Sequence, residues 1–370
     1  MSLGYITTLI VLASTYALFS LGLNVQWGLT GLINFGHVAF MTVGAYTTAL
    51  LSLNGVPLVF AVLAGAALAS LLGLAVGAST LRLREDYLAI VTIGVSEVVR
   101  LVALNEEWLT RGARGISNYP LPLEDWEATW PVRIGAIALW SLVFGFGFKK
   151  LWGWTRGWNR AERNADEKDK SRPLRRLVIG AITATGGVIL YGIGTAALYD
   201  FEYRAGLMLV TTTTLAIVYS QLERLAQSPW GRVLKAIRED EEVVKALGKN
   251  VFWYKLQSLM LGGAIAGVSG SFYAWQLTFF NPDGFIPLIT FQAWTIVVLG
   301  GAGSNTGTLL GAAIFWTYTA LTRFLPDILP LDDARLGPLR IMIIGLILIV
   351  VMMWRPQGML GRKEELTLGR

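Results

Sequence analysis

The chain has 370 residues, 54% of them hydrophobic and 15% charged, whereas a soluble domain carries about 25% charged residues. This composition indicates a polytopic membrane protein, and the 14 Trp and 12 Tyr agree because their rings favour the membrane–water interface. The chain has no cysteine, which excludes disulfides and thiolate metal sites, and its single histidine excludes a histidine-rich metal site. The net charge of +6 is spread over loops rather than one basic face, which argues against nucleic-acid binding.

The apolar segments predict membrane spans, because about 20 apolar residues cross the hydrocarbon core. The first segment lacks a basic start and a small-residue cleavage site, so we interpret it as a span rather than a signal peptide. The segments 24–36 and 288–310 are rich in glycine and polar residues, so they are candidate re-entrant or broken helices. We predict an all-α polytopic membrane protein with about ten transmembrane helices, nine to eleven in all. The candidate spans are 3–23, 31–53, 57–80, 88–104, 132–149, 177–199, 205–222, 252–276, 288–302, 306–324 and 338–354.

Polar residues interrupt the chain after the first span. Asn24, Gln26, Thr30 and Asn34 form a cluster of neutral side chains, which with exposed backbone ends can solvate a zwitterion. These four are candidate substrate-path residues. His37 has two readings that stay open, a hydrogen-bonded packing group or a proton relay, and is also a candidate for the path.

Small residues recur along the third candidate span. Gly65, Ala69, Gly73 and Gly77 lie four residues apart on one helix face, and "LGGAIAGVSGS" at 261–271 repeats the pattern. Small residues let helix backbones approach closely inside a bilayer. We therefore predict tight helix packing along both segments.

Two charges lie within the fourth candidate span. Glu97 and Arg100 are three residues apart, a spacing that allows an ion pair on one helix face. Charges inside a membrane are usually paired or face a polar cavity. A self-satisfied pair that orients the helix and a direct contribution to the substrate path both remain open.

The distribution of Lys and Arg predicts the orientation of the chain. The segment 149–176 holds ten Lys/Arg against four acids and is predicted to be a basic cytoplasmic insert. The segment 223–250 holds six Lys/Arg and is predicted to be cytoplasmic as well. The loop 105–131 has two Arg against five acids, and 325–337 has three Asp and one Arg, so both are predicted to be external. The C-terminus then lies in the cytoplasm.

The segment 228–248, "SPWGRVLKAIREDEEVVKALG", is a polar helix in an apolar chain. Ser228 and Pro229 suit an N-cap and first helical position, and Gly248 suits a C-terminal stop. The four acids at 239–242 disfavour an interfacial helix on an anionic leaflet. A helix that docks into a groove of a soluble protein explains the mixed charge better, although the interfacial alternative stays open. The apolar residues at helical spacing are Val233, Ile237, Val244 and Leu247.

Nucleotide chemistry is not expected in this chain. The glycine-rich stretch Gly300–Gly311 lacks the Lys that a phosphate-binding loop requires. A nucleophile–base pair or a metal-ligand constellation is lacking too, which argues against an enzyme. A stand-alone secondary transporter or channel would need more ionisable residues along its spans.

Several motifs together resemble the LivM-type permeases, the membrane subunits of ABC importers for branched-chain and other hydrophobic amino acids. They cover most of the chain in order. The motifs are "SPWGRVLKAIREDEEVVKALGKNVFWYKL", "GLNVQWGLTGLINFGHVAFMTVGAYTTALL" at 22–51, "DYLAIVTIGVSEVVRLVALN", "LTRGARGI" at 109–116, "VVLGGAGSNTGTLLGA" at 297–312 and "RPQGMLG" at 355–361.

The resemblance implies a single permease domain over 1–370, with the ABC importer permease fold, in a bacterial-type inner membrane. It implies a heterodimer with a second homologous membrane subunit, two cytoplasmic ATPase subunits that hold ATP and Mg, and an external solute-binding protein. No cofactor is expected in this chain. A urea or short-chain amide importer is the nearest alternative. The implied binding-protein contacts are Arg111 and Arg114, and the implied ATPase-coupling residues are Trp230, Gly231, Arg232, Lys235, Arg238, Glu239 and Asp240.

Overall fold

A computed structural model describes most of the apolar part of the chain. The predicted span 177–199 and the last predicted span lie only partly in the described residues. The loop 325–337 and the insert beyond residue 161 lie outside them. The described residues are 3–83, 85–124, 129–161, 187–188, 190–200, 203–322, 338–339, 342–346, 349–350, 353 and 358–360.

The first third of the chain is helical, as the apolar runs predict, but it contains a break. Residues 30–37 are not helical, so the predicted span 31–53 begins as a helix only at Val38. The glycine and polar residues there favour turns over a continued helix. The elements are α1 (Leu3–Leu23), a π-helical segment (Asn24–Leu29), α2 (Val38–Leu53), α3 (Leu58–Thr80) and α4 (Glu85–Asn105).

A short ordered loop follows α4 and pairs with a distant part of the chain. Its strand is antiparallel to a second strand, with Ile116 opposite Phe280 and Ser117 opposite Phe279. The pairing fixes the loop against the end of a later helix. The elements of the loop are α5 (Glu107–Thr110), a 3-10 turn (Gly112–Arg114) and β1 (Ile116–Ser117).

The remaining elements include one long helix and several broken ones. Helix α6 has 32 residues, which makes it about 48 Å long, longer than the hydrocarbon core of about 30 Å. The elements are α6 (Trp130–Ala161), the helical residues 190–200 (α7), α8 (Tyr203–Gln227), α9 (Pro229–Glu239), α10 (Glu241–Ala246), α11 (Val251–Leu277), β2 (Phe279–Phe280), a 3-10 turn (Pro282–Gly284), α12 (Pro287–Gly300) and α13 (Asn305–Thr322).

Six helices among the described residues are long and apolar enough to cross a membrane. This agrees with an all-α polytopic membrane protein. Helix α2 is apolar but shorter, with 16 residues. The six are Leu3–Leu29, Leu58–Thr80, Tyr87–Asn105, Trp130–Lys149, Tyr203–Gln227 and Pro282–Gly300.

The chain divides into two compact units. In the first unit, α6 and α7 are joined by polar contacts: the Trp140 indole donates to the Tyr191 carbonyl at 3.4 Å, and Ser141 and Tyr191 share a hydroxyl hydrogen bond of 2.9 Å. The first unit comprises Met1–Val11 and Pro122–Ala216, and the second comprises Leu12–Leu121 and Ile217–Arg370.

In the second unit, helices α2, α3 and α11 pack through small residues. A Cβ atom placed on Gly44 would lie 2.0 Å from the Gly267 carbonyl oxygen. A Cβ atom placed on Gly270 would lie 2.0 Å from the Met41 carbonyl oxygen. The four small residues of α3 are buried, and Gly73 faces the backbone of α11 at Leu259. The predicted tight packing along α3 and 261–271 is therefore confirmed.

The predicted break near 288–310 is also present. Helix α12 ends at Gly300, and α13 begins after a turn whose Gly301 has a positive φ of 111°. The C-terminal residues 358–360 complete this end: the Met359 and Leu360 amides donate to the carbonyls of the last two residues of α12, at 3.1 and 2.9 Å. These bonds satisfy carbonyl groups that a helix end leaves without partners.

Candidate functional site

The polar segment after α8 begins as predicted. The Ser228 hydroxyl accepts from the Gly231 amide at 3.4 Å, and Pro229 occupies the first turn of α9. The segment also ends as predicted, because Gly248 has a φ of 75° and its amide donates to the Lys245 carbonyl at 2.9 Å. Both signals are local, which is why the sequence shows them.

The continuous helix predicted over 228–248 is wrong, because Asp240 divides it. Asp240 is extended, with φ −155° and ψ 107°, and its carboxylate accepts from the amides of Glu242 and Val243 at 2.9 and 3.1 Å. It is thus the N-cap of α10, where acidic residues are also favoured by the helix dipole. We call α9 and α10 together the docking helices, after the role that the sequence predicts for them.

The docking helices, which belong to the second unit, bury one face within it. Leu234, Ile237 and Val244 are buried, whereas Leu247, which we expected on the same face as Val244, is 72% exposed. Leu247 lies just beyond α10, which ends at Ala246, so the helical spacing from Val244 does not keep it on the buried face. Val243 is also 54% exposed, which gives α10 an apolar outer face.

Three of the predicted coupling residues contact elements that precede or follow the docking helices. The Trp230 indole donates to the Gln257 side chain of α11 at 2.7 Å. Gly231 is buried, and a Cβ atom there would lie 2.4 Å from the Leu225 carbonyl oxygen. The Arg238 guanidinium donates to the carbonyl oxygen of Gly28 in the π-helical segment. These residues connect the docking helices to the membrane-spanning helices.

The other predicted coupling residues remain accessible. Arg232, Glu239 and Asp240 are exposed, and Lys235 is half-buried. The outer surface of α9 therefore carries charges of both signs. Mixed charge of this kind favours specific contact with a polar protein surface.

A charge cluster ties α10 to the start of α11. Lys255 contacts the Glu241 carboxylate, and Lys245 lies 3.1 Å from Glu241 and 3.0 Å from Glu242. Partial burial raises the pKa of the Glu241 carboxyl, but hydrogen bonds from Lys255 and Lys245 outweigh it and lower the pKa below its usual value. Glu241 is thus ionised at neutral pH and holds α10 in place.

We expect the contribution of Glu241 to stability to depend on pH. Because the folded-state pKa is lowered, the contribution is present above the unfolded value of about 4.3 and is lost as the pH falls through the folded value. Glu241→Gln should therefore lower the Tm at pH 7, and its effect should shrink only once the pH falls below about 4. Thermal unfolding of the purified protein across pH measures this, with the exposed Glu239→Gln as control. A Tm difference that does not change with pH would contradict the assignment.

The side chains of the predicted polar cluster are buried, and they form hydrogen bonds with other parts of the chain. The Asn24 amide donates to the Asn305 side chain at 3.0 Å and accepts from the Gly303 amide at 2.9 Å. The Asn305 amide in turn donates to Glu223 at 3.3 Å. Asn24 therefore joins the π-helical segment to the turn between α12 and α13.

A second set of hydrogen bonds joins the same segment to α11 and α12. The Gln26 amide donates to the Leu259 carbonyl at 3.1 Å and accepts from the Asn34 amide at 2.8 Å. The Trp294 indole of α12 donates to the Asn34 carbonyl at 3.1 Å. Thr30 shares a 2.7 Å hydrogen bond with Ser258 of α11. In this conformation these side chains connect helices and are buried.

His37 lies at the start of α2 and is also buried. Its Nε2 is 3.1 Å from the Phe19 carbonyl oxygen, and its ring packs against Phe19 and Phe40. Its Nδ1 has no hydrogen-bond partner among the described residues. The carbonyl contact and the two phenyl rings fit the packing reading.

Glu97 and Arg100 form the ion pair that their spacing predicts. The Arg100 Nε is 3.1 Å from each carboxylate oxygen of Glu97, and Nη1 donates to Asp283 at 3.0 Å. Asp283 was not predicted, because it lies far along the chain in the turn after β2. The pair thus also links α4 to the loop between α11 and α12.

The predicted binding-protein contacts lie in the loop after α4. Arg111 and Arg114 are exposed, and Arg111 has a positive φ of 65° at the end of α5. This loop is fixed by β1 and by the Tyr119 hydroxyl, which donates to the Ala274 carbonyl. The two guanidinium groups are therefore presented from an ordered surface. Among the described residues, no group of acids and histidine is arranged to hold a metal ion.

Comparisons with known proteins agree with this architecture. A family model described as the permease component of the branched-chain amino acid transport system matches residues 5–352. The chain is 30% identical over 351 residues to the high-affinity branched-chain amino acid transport system permease protein LivM of Escherichia coli K12, covering 94% of this chain and 68% of that protein.

Two further relatives extend the comparison. A probable branched-chain amino acid transport permease protein LivM of Methanocaldococcus jannaschii is 23% identical, over 99% of this chain and 96% of its own. The permease protein LivH of Escherichia coli K12 is 24% identical, over 96% of this chain and 94% of its own. No solved structure matches the chain. The family match and the apolar helices together show that this chain is a multi-pass membrane protein of the branched-chain amino acid transport permease family.

Proposed function

We propose that this chain is one of two membrane subunits of an ABC importer and forms part of the translocation pathway for branched-chain and other neutral amino acids. The observation that carries the proposal is the pair of docking helices. Their inner side is tied to α11 and to the π-helical segment through Trp230 and Arg238. Their outer side carries Arg232 and Glu239 in exposed positions.

The energy for transport then comes from other subunits. No phosphate-binding loop is present in the sequence, since Gly300–Gly311 lacks the required Lys. Two cytoplasmic ATPase subunits would bind ATP and Mg and dock on α9 and α10. A partner that closes around nucleotide can shift the membrane subunit between two packed states.

The sides of the membrane follow from charge. The docking helices and the C-terminus are assigned to the cytoplasm of a bacterial-type inner membrane, and the loop from α4 to β1 to the outside. On that outer side, Arg111 and Arg114 would contact an external solute-binding protein. The presence of both LivM and LivH among the relatives supports a heterodimer with a homologous permease.

The substrate path is assigned to the region around the π-helical segment and α4. Its polar residues Asn24, Gln26, Thr30 and Asn34 are neutral and His37 is a single imidazole, which suits a neutral zwitterion better than an acidic amino acid. The chain would meet substrate there once the path opens, with the Glu97–Arg100 pair nearer the outer end. The names of the relatives support branched-chain amino acids over urea or short-chain amides.

Purification and reconstitution test the proposal. The tagged chain, purified from its native membrane in mild detergent, should recover a second permease and ATPase subunits. The recovered complex in liposomes should take up leucine only with ATP and a solute-binding protein. Uptake driven by an ion gradient without an ATPase would favour a secondary transporter, and uptake of urea instead of leucine would favour the amide alternative.

Docking on α9 has its own test. Charge reversal at Arg232 and Glu239 together should reduce recovery of the ATPase subunits at least tenfold, because both side chains are exposed and accessible to a partner. Insertion into the membrane should be unchanged. Arg224→Glu on α8, also exposed, is the matched control and should recover the ATPase subunits normally. Normal recovery with the double reversal would show that α9 is not the docking surface.

A further inference from the structure

The π-helical segment Asn24–Leu29 lies at the centre of a set of backbone contacts. A π-helix is rarely longer than one turn and is frequent at functional sites. Here it follows α1 directly and ends where Gly31 adopts a φ of 81°. An element of this kind needs contacts from its surroundings to keep its geometry.

Arg238 supplies such a contact from the docking helices. Its guanidinium donates to the Gly28 carbonyl, and its Cγ lies 3.5 Å from the Cβ position of Gly31. One side chain of α9 thus bonds to the last turn of the π-helix and lies beside the glycine that follows its C-cap. A hydrogen bond from a charged donor is stronger than a neutral one.

The same segment contacts the turn between α12 and α13. A Cβ atom on Gly28 would lie 2.5 Å from the Gly303 amide nitrogen, and Asn24 accepts a hydrogen bond from that amide. A Cβ atom placed on Gly358 would lie 2.5 Å from the Gly301 Cα, so the segment 358–360 also packs against this turn. A displacement of Gly28 therefore cannot leave the turn unchanged.

We infer that Arg238 is a positioning residue that moves the π-helical segment, and through it the α12–α13 turn, when the docking helices shift. The inference rests on the proposed importer function and assigns Arg238 a role within the chain rather than in the ATPase interface. Its consequence is that docking and transmission are separate functions of α9. Outward residues such as Arg232 bind the ATPase, and Arg238 passes the movement on.

The test separates docking from transport. Arg238→Ala and Arg238→Gln should recover the ATPase subunits at the wild-type yield, but the amount of leucine transported per ATP hydrolysed should fall at least tenfold. Arg238→Lys should restore part of it, because an ammonium group can still donate to a carbonyl. Arg224→Ala is the control and should leave the ratio unchanged.

A labelling experiment gives a second readout that a purely structural role would not move. The chain has no cysteine, so Ser304→Cys introduces a single reporter in the α12–α13 turn. In the assembled importer, its reaction rate with a maleimide should differ between the nucleotide-free and nucleotide-trapped states. Arg238→Ala should abolish that difference.

The outcomes distinguish the two levels of the proposal. If the wild-type complex contains no ATPase and shows no ATP-driven uptake, the importer function itself is wrong. If it transports leucine and Arg238→Ala keeps both the wild-type transport ratio and the labelling difference, only the role of Arg238 is overturned. Loss of ATPase recovery in Arg238→Ala would also overturn it, because Arg238 would then be a docking residue.

Discussion

Gly44→Ala is expected to destabilise the protein by about 3 kcal/mol, near the upper end of the usual cost of an overpacked core. The added methyl group would lie 2.0 Å from the carbonyl oxygen of Gly267 and 2.5 Å from its Cα. These are backbone atoms, so no side-chain rotation relieves the clash, and α2 and α11 must separate. Thermal unfolding of the purified protein in detergent, followed by size-exclusion chromatography, measures the loss.

Gly94→Ala is the matched control for this change. Gly94 also lies in an apolar helix, α4, but apart from its own helix no heavy atom of the described residues lies within 4 Å of a Cβ atom placed there. Because alanine is favoured over glycine in helices by about 1 kcal/mol, this variant should unfold at the wild-type temperature or slightly above. Equal Tm values for Gly44→Ala and the wild type would contradict the close packing of α2 on α11.

Asn24→Ala should reduce both stability and transport, since it removes one buried and one partly buried hydrogen bond at once. The Gly303 amide and the Asn305 side chain each lose their Asn24 partner. A buried polar group left without a partner costs about 1–3 kcal/mol. The turn between α12 and α13 would lose its attachment to the π-helical segment, so we expect leucine uptake by the reconstituted complex to be abolished.

Asn54→Ala provides the comparison for Asn24. Asn54 is exposed at the end of α2, where its amide donates to the Leu50 carbonyl at 2.8 Å. Water can replace that hydrogen bond, so uptake and Tm should remain near wild type. Wild-type uptake by Asn24→Ala would show that the link between the π-helical segment and the turn is not required for transport.

The sequence predicted the parts of the molecule that depend on neighbouring residues. The Ser228 and Pro229 start, the Gly248 stop and the Glu97–Arg100 pair all lie within a few residues of their partners, so their spacing shows them directly. The stripe of small residues in α3 was visible for the same reason. The sequence therefore predicted which face of the helix packs against its neighbours.

Other features depend on residues that are far apart in the chain. Asn24 and Asn305 are 281 residues apart, and Arg100 and Asp283 are 183 residues apart. The residue types of Asn24 and Arg100 indicated polar positions, but the sequence spacing did not identify the partner of either side chain. Asp240 was missed for a different reason: its surroundings favour a helix on both sides, and only its own backbone conformation shows that it caps the second one.

The polar cluster was predicted as a set but not as a structure. Asn24, Gln26, Thr30 and Asn34 were grouped because they are neutral and close in sequence. The structure places them in hydrogen bonds to three different helices, which the grouping did not indicate. The structure therefore identifies the helix to which each of these side chains is hydrogen-bonded.

The C-terminal residues 358–360 have a consequence for how the protein is made. Their amides satisfy the last two carbonyls of α12, yet they are synthesised after both α12 and α13. Until then, that end of α12 must be hydrated or bound by something else. The broken helix pair is thus completed only after residues 358–360 have been synthesised, so a chain that terminates before Gly358 would be released with this turn unfinished.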